Sequence, residues 1–259
     1  MMLSKITSSL NTFFIEVGDI LLFTVNVVRQ LFSGPFEHKE LIKQGYQIGN
    51  KTLPLIAITG FIMGLVLSLQ SRPVLVDFGA QSLLPGMIAV SIIREIGPVI
   101  TALLCAGKIS SGIGAELGAM KVTEQLDAME VSGTKPLNFV VASRVLATTL
   151  LVPILVFFAD AVGLLGSFVA VNMHESMSVR LFISQAFNSL SFSDVVPATV
   201  KSVFFGFFIG LIGAYKGYHT DKGTESVGIS ANSAVVTASL VIFIIDLIAV
   251  QVSDIIYGF

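Results

Sequence analysis

Residues 53–71 form a run of nineteen without a charged side chain, held between Lys51 and Arg72. An α-helix needs about 20 apolar residues to cross the hydrocarbon core of a bilayer. Four further runs approach or exceed that length. Residues 83–107 are interrupted only by Arg94-Glu95, and residues 139–171 carry Arg144 and Asp160. Residues 196–215 hold Lys201 in their first turns, and residues 226–253 hold Asp246. Lipid offers the backbone no hydrogen bonds, so runs of this kind must close their own as helices. The pattern predicts an all-α polytopic membrane protein with five transmembrane helices. Composition agrees: 12% of residues are charged and 54% hydrophobic, against roughly 25% charged in a soluble domain. That balance excludes a soluble enzyme, a disordered segment and a basic nucleic-acid binder. A single cysteine, Cys105, excludes an intrachain disulfide and a cysteine metal cage.

Residues 13–32 have a different pattern. Glu16, Asp19, Asn26, Arg29 and Gln30 recur through an otherwise apolar stretch. At the helical period they fall within an arc of about 140°. One polar stripe opposite a wide Phe/Leu/Val face predicts an amphipathic helix lying in the membrane interface. A signal peptide fits less well, because charges sit inside the apolar region and no small-x-small cleavage site follows. Lys and Arg set the orientation. With the N-terminus in the cytoplasm, eleven basic residues fall on that side. Arg72, Arg180 and Lys201 fall outside, and Arg94 lies in the membrane. The C-terminus is then expected outside.

Enzyme signatures are missing from the sequence. There is no GxxxxGK[ST] and no GxSxG, and His174-Glu175 is followed by Ser178 where a zinc-binding HExxH needs histidine. His38, His174 and His219 are scattered and read as solvated loop residues. The informative stretch runs from Ser91 to Arg144. Arg94 and Glu95 are neighbours, so they point about 100° apart on a helix. At this depth an unpartnered charge costs at least about 2.5 kcal/mol. They must pair across helices or face a wet cavity, and both readings are open. Gly97-Pro98 removes a backbone hydrogen bond and predicts a kink. Gly107, Ser111, Ala115 and Ala119 form a small-residue row, with Ser110, Gly114 and Gly118 beside it. Such rows let helices approach closely, within a bundle or across a dimer. Residues 121–132 are too few to span. Val122, Leu126 and Met129 fall on one face, and Glu124, Asp127 and Glu130 on the other. This predicts a short cytoplasmic helix between spans two and three, either a solvated connector or a lever gripped by a partner.

Three pieces of this stretch carry a resemblance: Arg94-Glu-Ile-Gly-Pro98, then Ala115-Glu-Leu-Gly-Ala-Met-Lys-Val-Thr-Glu-Gln-Leu-Asp-Ala-Met129, then Pro136 with Arg144-Val-Leu-Ala147. Together they closely resemble the MlaE family of ABC transporter permeases. The likeness continues into Gly217-Tyr218 and Val227-Gly-Ile-Ser230 and covers the chain from the interfacial helix onward. It implies a homodimer in a bacterial inner membrane, served by two cytoplasmic ATPase subunits that bind ATP and magnesium. A periplasmic MCE-domain protein, usually a hexamer, would sit over the outer face. No cofactor is implied for this chain itself. Phospholipids or related lipids would pass between the membrane and the periplasmic carrier. On this resemblance Glu124, Gln125, Leu126, Asp127, Met129 and Glu130 belong to the coupling helix that docks into the ATPase. Lipid would occupy a cavity between the two protomers, lined by spans one, two and five; Gln70, Arg94, Glu95 and Lys201 match polar positions suited to that cavity and its outer mouth, and Asp246 matches an acidic position of the last span. One departure is visible: residues 228–235 contain no basic side chain, whereas some relatives are basic there.

Two other functions fit parts of the pattern. Arg94, Glu95, Asp160 and Asp246 could serve a secondary transporter or channel driven by an ion gradient. The sequence shows no inverted repeat, and five spans divide poorly into halves. A scaffold that only anchors an ATPase would leave Arg94 and Glu95 without a transport role.

Overall fold

The computed structural model describes residues 2–33, 38–174 and 176–258, with side chains from residue 14 to 30 and from 39 onward. Within that range the chain is helical apart from short turns and loops, and the described residues contain no strand. Helix α1 is Met2–Ser33 and α2 is His38–Asp77. Helix α3 is Gln81–Val122, α4 is Gln125–Val131 and α5 is Leu137–Asn172. Helix α6 is Val179–Asn188, α7 is Phe192–Tyr218 and α8 is Thr224–Tyr257. Five of them (α2, α3, α5, α7 and α8) are long and apolar enough to cross a bilayer. The protein is therefore an all-α polytopic membrane protein.

The helices overrun the apolar stretches that announced them. Helix α2 begins some four turns before residue 53, because a nucleated helix propagates through polar residues at little cost. Pro54 and Pro73 lie inside it without ending it. Helix α3 continues past residue 107 to Val122. The kink expected at Gly97-Pro98 takes the form of a π-helical turn at Ile92–Ile96, where the Gly97 N–H donates to the Ile92 carbonyl. Wider turns of this kind absorb the hydrogen bond that proline cannot make, and they often mark functional positions. A second π turn covers Ala106–Ser110, and a third, Leu137–Ala142, follows Pro136.

The bundle is held by small residues. A Cβ added to Gly64 of α2 would lie 1.8 Å from the Gly163 carbonyl of α5, and one on Gly166 would lie 2.1 Å from the Phe61 carbonyl. Ser68 and Ser167 hydrogen-bond across the same seam at 2.7 Å. Without a hydrophobic force between helices in lipid, close backbone approach and polar cross-links of this type drive association. Of the two small rows in α3, the one containing Ser110, Gly114 and Gly118 packs inside the bundle. A Cβ on Gly213 or Gly217 of α7 would meet the Ser110 or Gly114 carbonyl at 2.7 Å. Gly107 and Ala119 of the other row stay exposed.

Helix α1 rests on the end of α7. Phe23 and Val27 are buried, and the Phe23 ring stacks edge-on to Tyr215 at 5.5 Å. Glu16 pairs with Lys216. The remaining apolar face, including Phe14, Leu21, Leu22 and Val25, is exposed. The predicted apolar face is thus divided between protein and surroundings.

Candidate functional site

Three of the membrane-embedded charges, Glu95, Lys201 and Asp246, meet at one place. Lys201 lies in the third turn of α7 and is 3% exposed. Its Nζ donates to Glu95 Oε2 of α3 at 2.6 Å and to Asp246 Oδ1 of α8 at 2.9 Å. One buried ammonium thus ties three helices together. The sequence pattern had placed this lysine in the outer group; in the fold it faces inward and neutralises two carboxylates. Arg94, the next residue round the π turn from Glu95, approaches Asp194 Oδ1 at 3.7 Å. The two neighbours therefore pair in different directions, as their angular separation requires.

Asp194 is the site residue that sequence reasoning missed. It sits in the first turn of α7, where Asp194 Oδ2 accepts hydrogen bonds from the Ser191 N–H at 2.9 Å and Ser191 Oγ at 2.7 Å. The Ser191-x-x-Asp194 spacing of a capping box was the available signal. One residue of the expected cavity set lies apart from the cluster: Gln70 is exposed near the end of α2. Asp160, named only for an ion-driven transporter, is buried in α5. Asp160 Oδ1 lies against the Gly97 backbone and has no hydrogen-bond partner.

Beside the cluster, α7 and α8 part to leave a groove of about 490 Å³. Its walls are Val196, Val200 and Phe204 on one side and Ile248, Ala249 and Val252 on the other. Of the cluster, Lys201 reaches this wall. An elongated apolar trough suits a molecule with a long hydrocarbon body. Deeper along α8, Ser230 Oγ donates to the Lys216 carbonyl at 2.7 Å, and Ala234 and Ala238 are buried. The two helices are packed at that end and open at the other.

At the opposite end of α3 lies the short helix expected between spans two and three. It is shorter than residues 121–132, since α3 runs to Val122 and the chain turns at Thr123-Glu124. Glu124 has φ +60°, a left-handed conformation uncommon for a side chain of this type. Leu126 is buried and Met129 packs against the core, which pins α4 to the bundle. Asp127 pairs with Lys121 at 2.8 Å, and Glu130 accepts a hydrogen bond from the Tyr218 hydroxyl at 3.0 Å. Glu124, Gln125, Asp127 and Glu130 are exposed. The segment thus offers an acidic surface whose position is fixed by α3 on one side and by the end of α7 on the other.

A bundle of five helices long and apolar enough to cross a membrane, with charges paired across them and an apolar groove alongside, defines a polytopic membrane protein. Residues 41–252 match the family model described as Permease MlaE. The chain belongs to the MlaE permease family. It is 38% identical, over 80% of each chain, to the intermembrane phospholipid transport system permease protein MlaE of Haemophilus influenzae. It is 34% identical, over 88% of each chain, to a probable ABC transporter permease protein of Rickettsia typhi. The chloroplastic protein trigalactosyldiacylglycerol 1 of Arabidopsis thaliana is 31% identical over 86% of this chain and 63% of its own length.

Proposed function

We propose that this permease moves phospholipids between a bacterial inner membrane and a periplasmic MCE-domain carrier, using ATP hydrolysed by a separate subunit. The observation that carries the reading is the groove between α7 and α8, apolar along its length with Lys201 at its wall. A phospholipid has two hydrocarbon tails, and the apolar walls of this trough offer a surface for them, with the Glu95–Lys201–Asp246 cluster at its edge. The name of the Haemophilus relative supports phospholipid as the cargo, and the Rickettsia name supports an ATP-driven system.

The parts then take these roles. Helix α4 presents Glu124, Gln125, Asp127 and Glu130 to a cytoplasmic ATPase, with Leu126 and Met129 as its anchor in the bundle. Closure of two ATPase subunits, loaded with ATP and magnesium, moves α4 and with it α3 and α7. Those two helices carry Glu95 and Lys201, so their displacement alters the groove. A second copy of the chain lies against the exposed apolar face of α8, which includes Leu240, Phe243 and Leu247. The N-terminus is cytoplasmic and the C-terminus periplasmic, where an MCE hexamer receives the lipid.

Reconstituted complex in proteoliposomes tests this. ATP should drive transfer of labelled phospholipid to the MCE protein. Glu124→Lys with Asp127→Lys should abolish ATPase co-purification while insertion into the membrane persists. Transfer that continues in ATP-depleted vesicles under an imposed proton gradient would instead establish the ion-driven alternative, in which Asp160 is the natural proton acceptor.

A further inference from the structure

A second polar cleft lies at the other end of the same helices. It sits between α2 and α3, has a volume of about 120 Å³, and is lined by Gln47, Lys51, Lys108 and Glu116 with Ile48 and Ile109 beneath. Lys51 directly precedes the first apolar run and Lys108 directly follows the second. The two helices run antiparallel, so the two run ends mark one membrane surface, and the fold brings their lysines into one cleft.

The charge there is uncompensated. Glu116 is the cleft's carboxylate, and its Oε1 is taken by the Arg144 guanidinium at 2.7 Å. Gln44 donates to Glu40 at 2.8 Å and Thr52 donates to the Ile48 carbonyl at 2.7 Å. Among the described residues neither Lys51 nor Lys108 has an ion-pair partner, in contrast to Lys43, Lys121, Lys201 and Lys216. Lys108 also sits on the second π turn of α3, between Gly107 and Gly112, where an added Cβ would meet nothing within 4 Å. The backbone beside the lysine is therefore open to a ligand. Ile48 and Ile109 belong to the buried core, and the α2 face that carries Lys51 continues through exposed Leu55, Ile58 and Ile62.

We propose that Lys51 and Lys108 hold the phosphate of an anionic phospholipid from the adjoining leaflet, with its acyl chains running along α2 and α3 in the bilayer. Basic pockets between transmembrane helices recognise such head groups. The cleft takes one phosphate and no hydrocarbon, which distinguishes it from the α7–α8 groove. On the orientation proposed above, this leaflet is the cytoplasmic one, and the site is a fixed lipid contact rather than part of the transport route.

The test is lipid retention, a readout separate from transport. The full-length protein is placed in nanodiscs of phosphatidylcholine with a minor fraction of phosphatidylglycerol. Lipids that remain bound after transfer to detergent are then identified by native mass spectrometry. The wild type should retain phosphatidylglycerol over phosphatidylcholine. Each Lys→Gln substitution should weaken retention about fivefold, and Lys51→Gln with Lys108→Gln about 25-fold. The paired Lys→Arg variant should keep it. Equal retention by the double Gln variant would overturn the proposal, whether or not that variant loses a soluble protein partner. Displacement of the lipid by excess inorganic phosphate would overturn it in favour of a soluble anion. Absence of ATP-driven phospholipid transfer by the wild-type complex, with retention intact, would count against the transport reading alone.

Discussion

Two helix pairs in this bundle solve the same packing problem in opposite ways. Helices α2 and α5 meet along Gly60, Gly64, Gly163 and Gly166, with backbones so close that a single added Cβ would strike a carbonyl. Helices α7 and α8 share an equally apolar composition, yet beyond Asp246 they separate and leave the groove. The first seam is cross-linked by neutral hydroxyls, Ser68 and Ser167. The second is bordered by Lys201, Glu95 and Asp246. Small residues bring helices together by removing side chains. Bulky residues such as Phe204, Ile248 and Val252 keep them apart, and the buried ammonium fixes how far. One pair provides a rigid frame, and the other provides room for a ligand.

The contrast breaks most severely at Gly64. Gly64→Leu should prevent stable assembly of α2 on α5, since overpacking of this sort costs about 3 kcal/mol or more. Cys105 is buried, so its reactivity to a thiol probe in detergent reports the loss of fold. If the variant's thiol stays as protected as in wild type, the seam is looser than described.

Lys201→Met should come next. It leaves Glu95 and Asp246 without their cation. Removing one member of a fully buried pair costs about 3–5 kcal/mol; here about 2 kcal/mol is expected, because both carboxylates are partly solvated. Adding Glu95→Gln and Asp246→Asn should restore thermal stability while lipid transfer stays low. Restoration of both would show that the cluster is scaffolding only.

Ala249→Trp fills the groove from α8 and should abolish transfer with little change in melting temperature. The smallest effect is expected at Tyr218→Phe. It removes the hydrogen bond to Glu130 and should lower stability by about 0.5 kcal/mol, read as a small shift in thermal midpoint. A large loss of ATPase stimulation in that variant would show that α4 communicates with α7 chiefly through this contact.

The frame was largely legible in the sequence, and the site only partly. Apolar runs identify bilayer-crossing segments because the solvent demands them, so each of the five runs falls within a long helix. Their ends were illegible for the same reason: a helix does not stop where lipid does, and α2 begins well before Leu53. Helix α6 lies between the third and fourth apolar runs and is too short to announce itself as a span. Its signals were Ser178 as cap, accepting from the Leu181 N–H at 3.3 Å, and buried Phe182 and Ala186 four apart. At the site, the cost of burying Arg94 and Glu95 announced that partners must exist. Periodicity gives a face and not a neighbour, so neither Asp194 nor Lys201 could be assigned to them. The left-handed Glu124 left no trace in residue type, because nothing about glutamate favours that conformation.

The central claim is that lipid occupies the α7–α8 groove during ATP-driven transport. A photo-crosslinking residue at Val200, within the groove, tests it most directly against one at Leu165, on the exposed face of α5. Both should capture phospholipid in the resting complex. When ATP hydrolysis and the MCE acceptor are supplied, capture at Val200 should fall while capture at Leu165 stays constant. Equal and unchanged capture at the two positions would mean that the groove holds only bulk lipid, and would contradict the account.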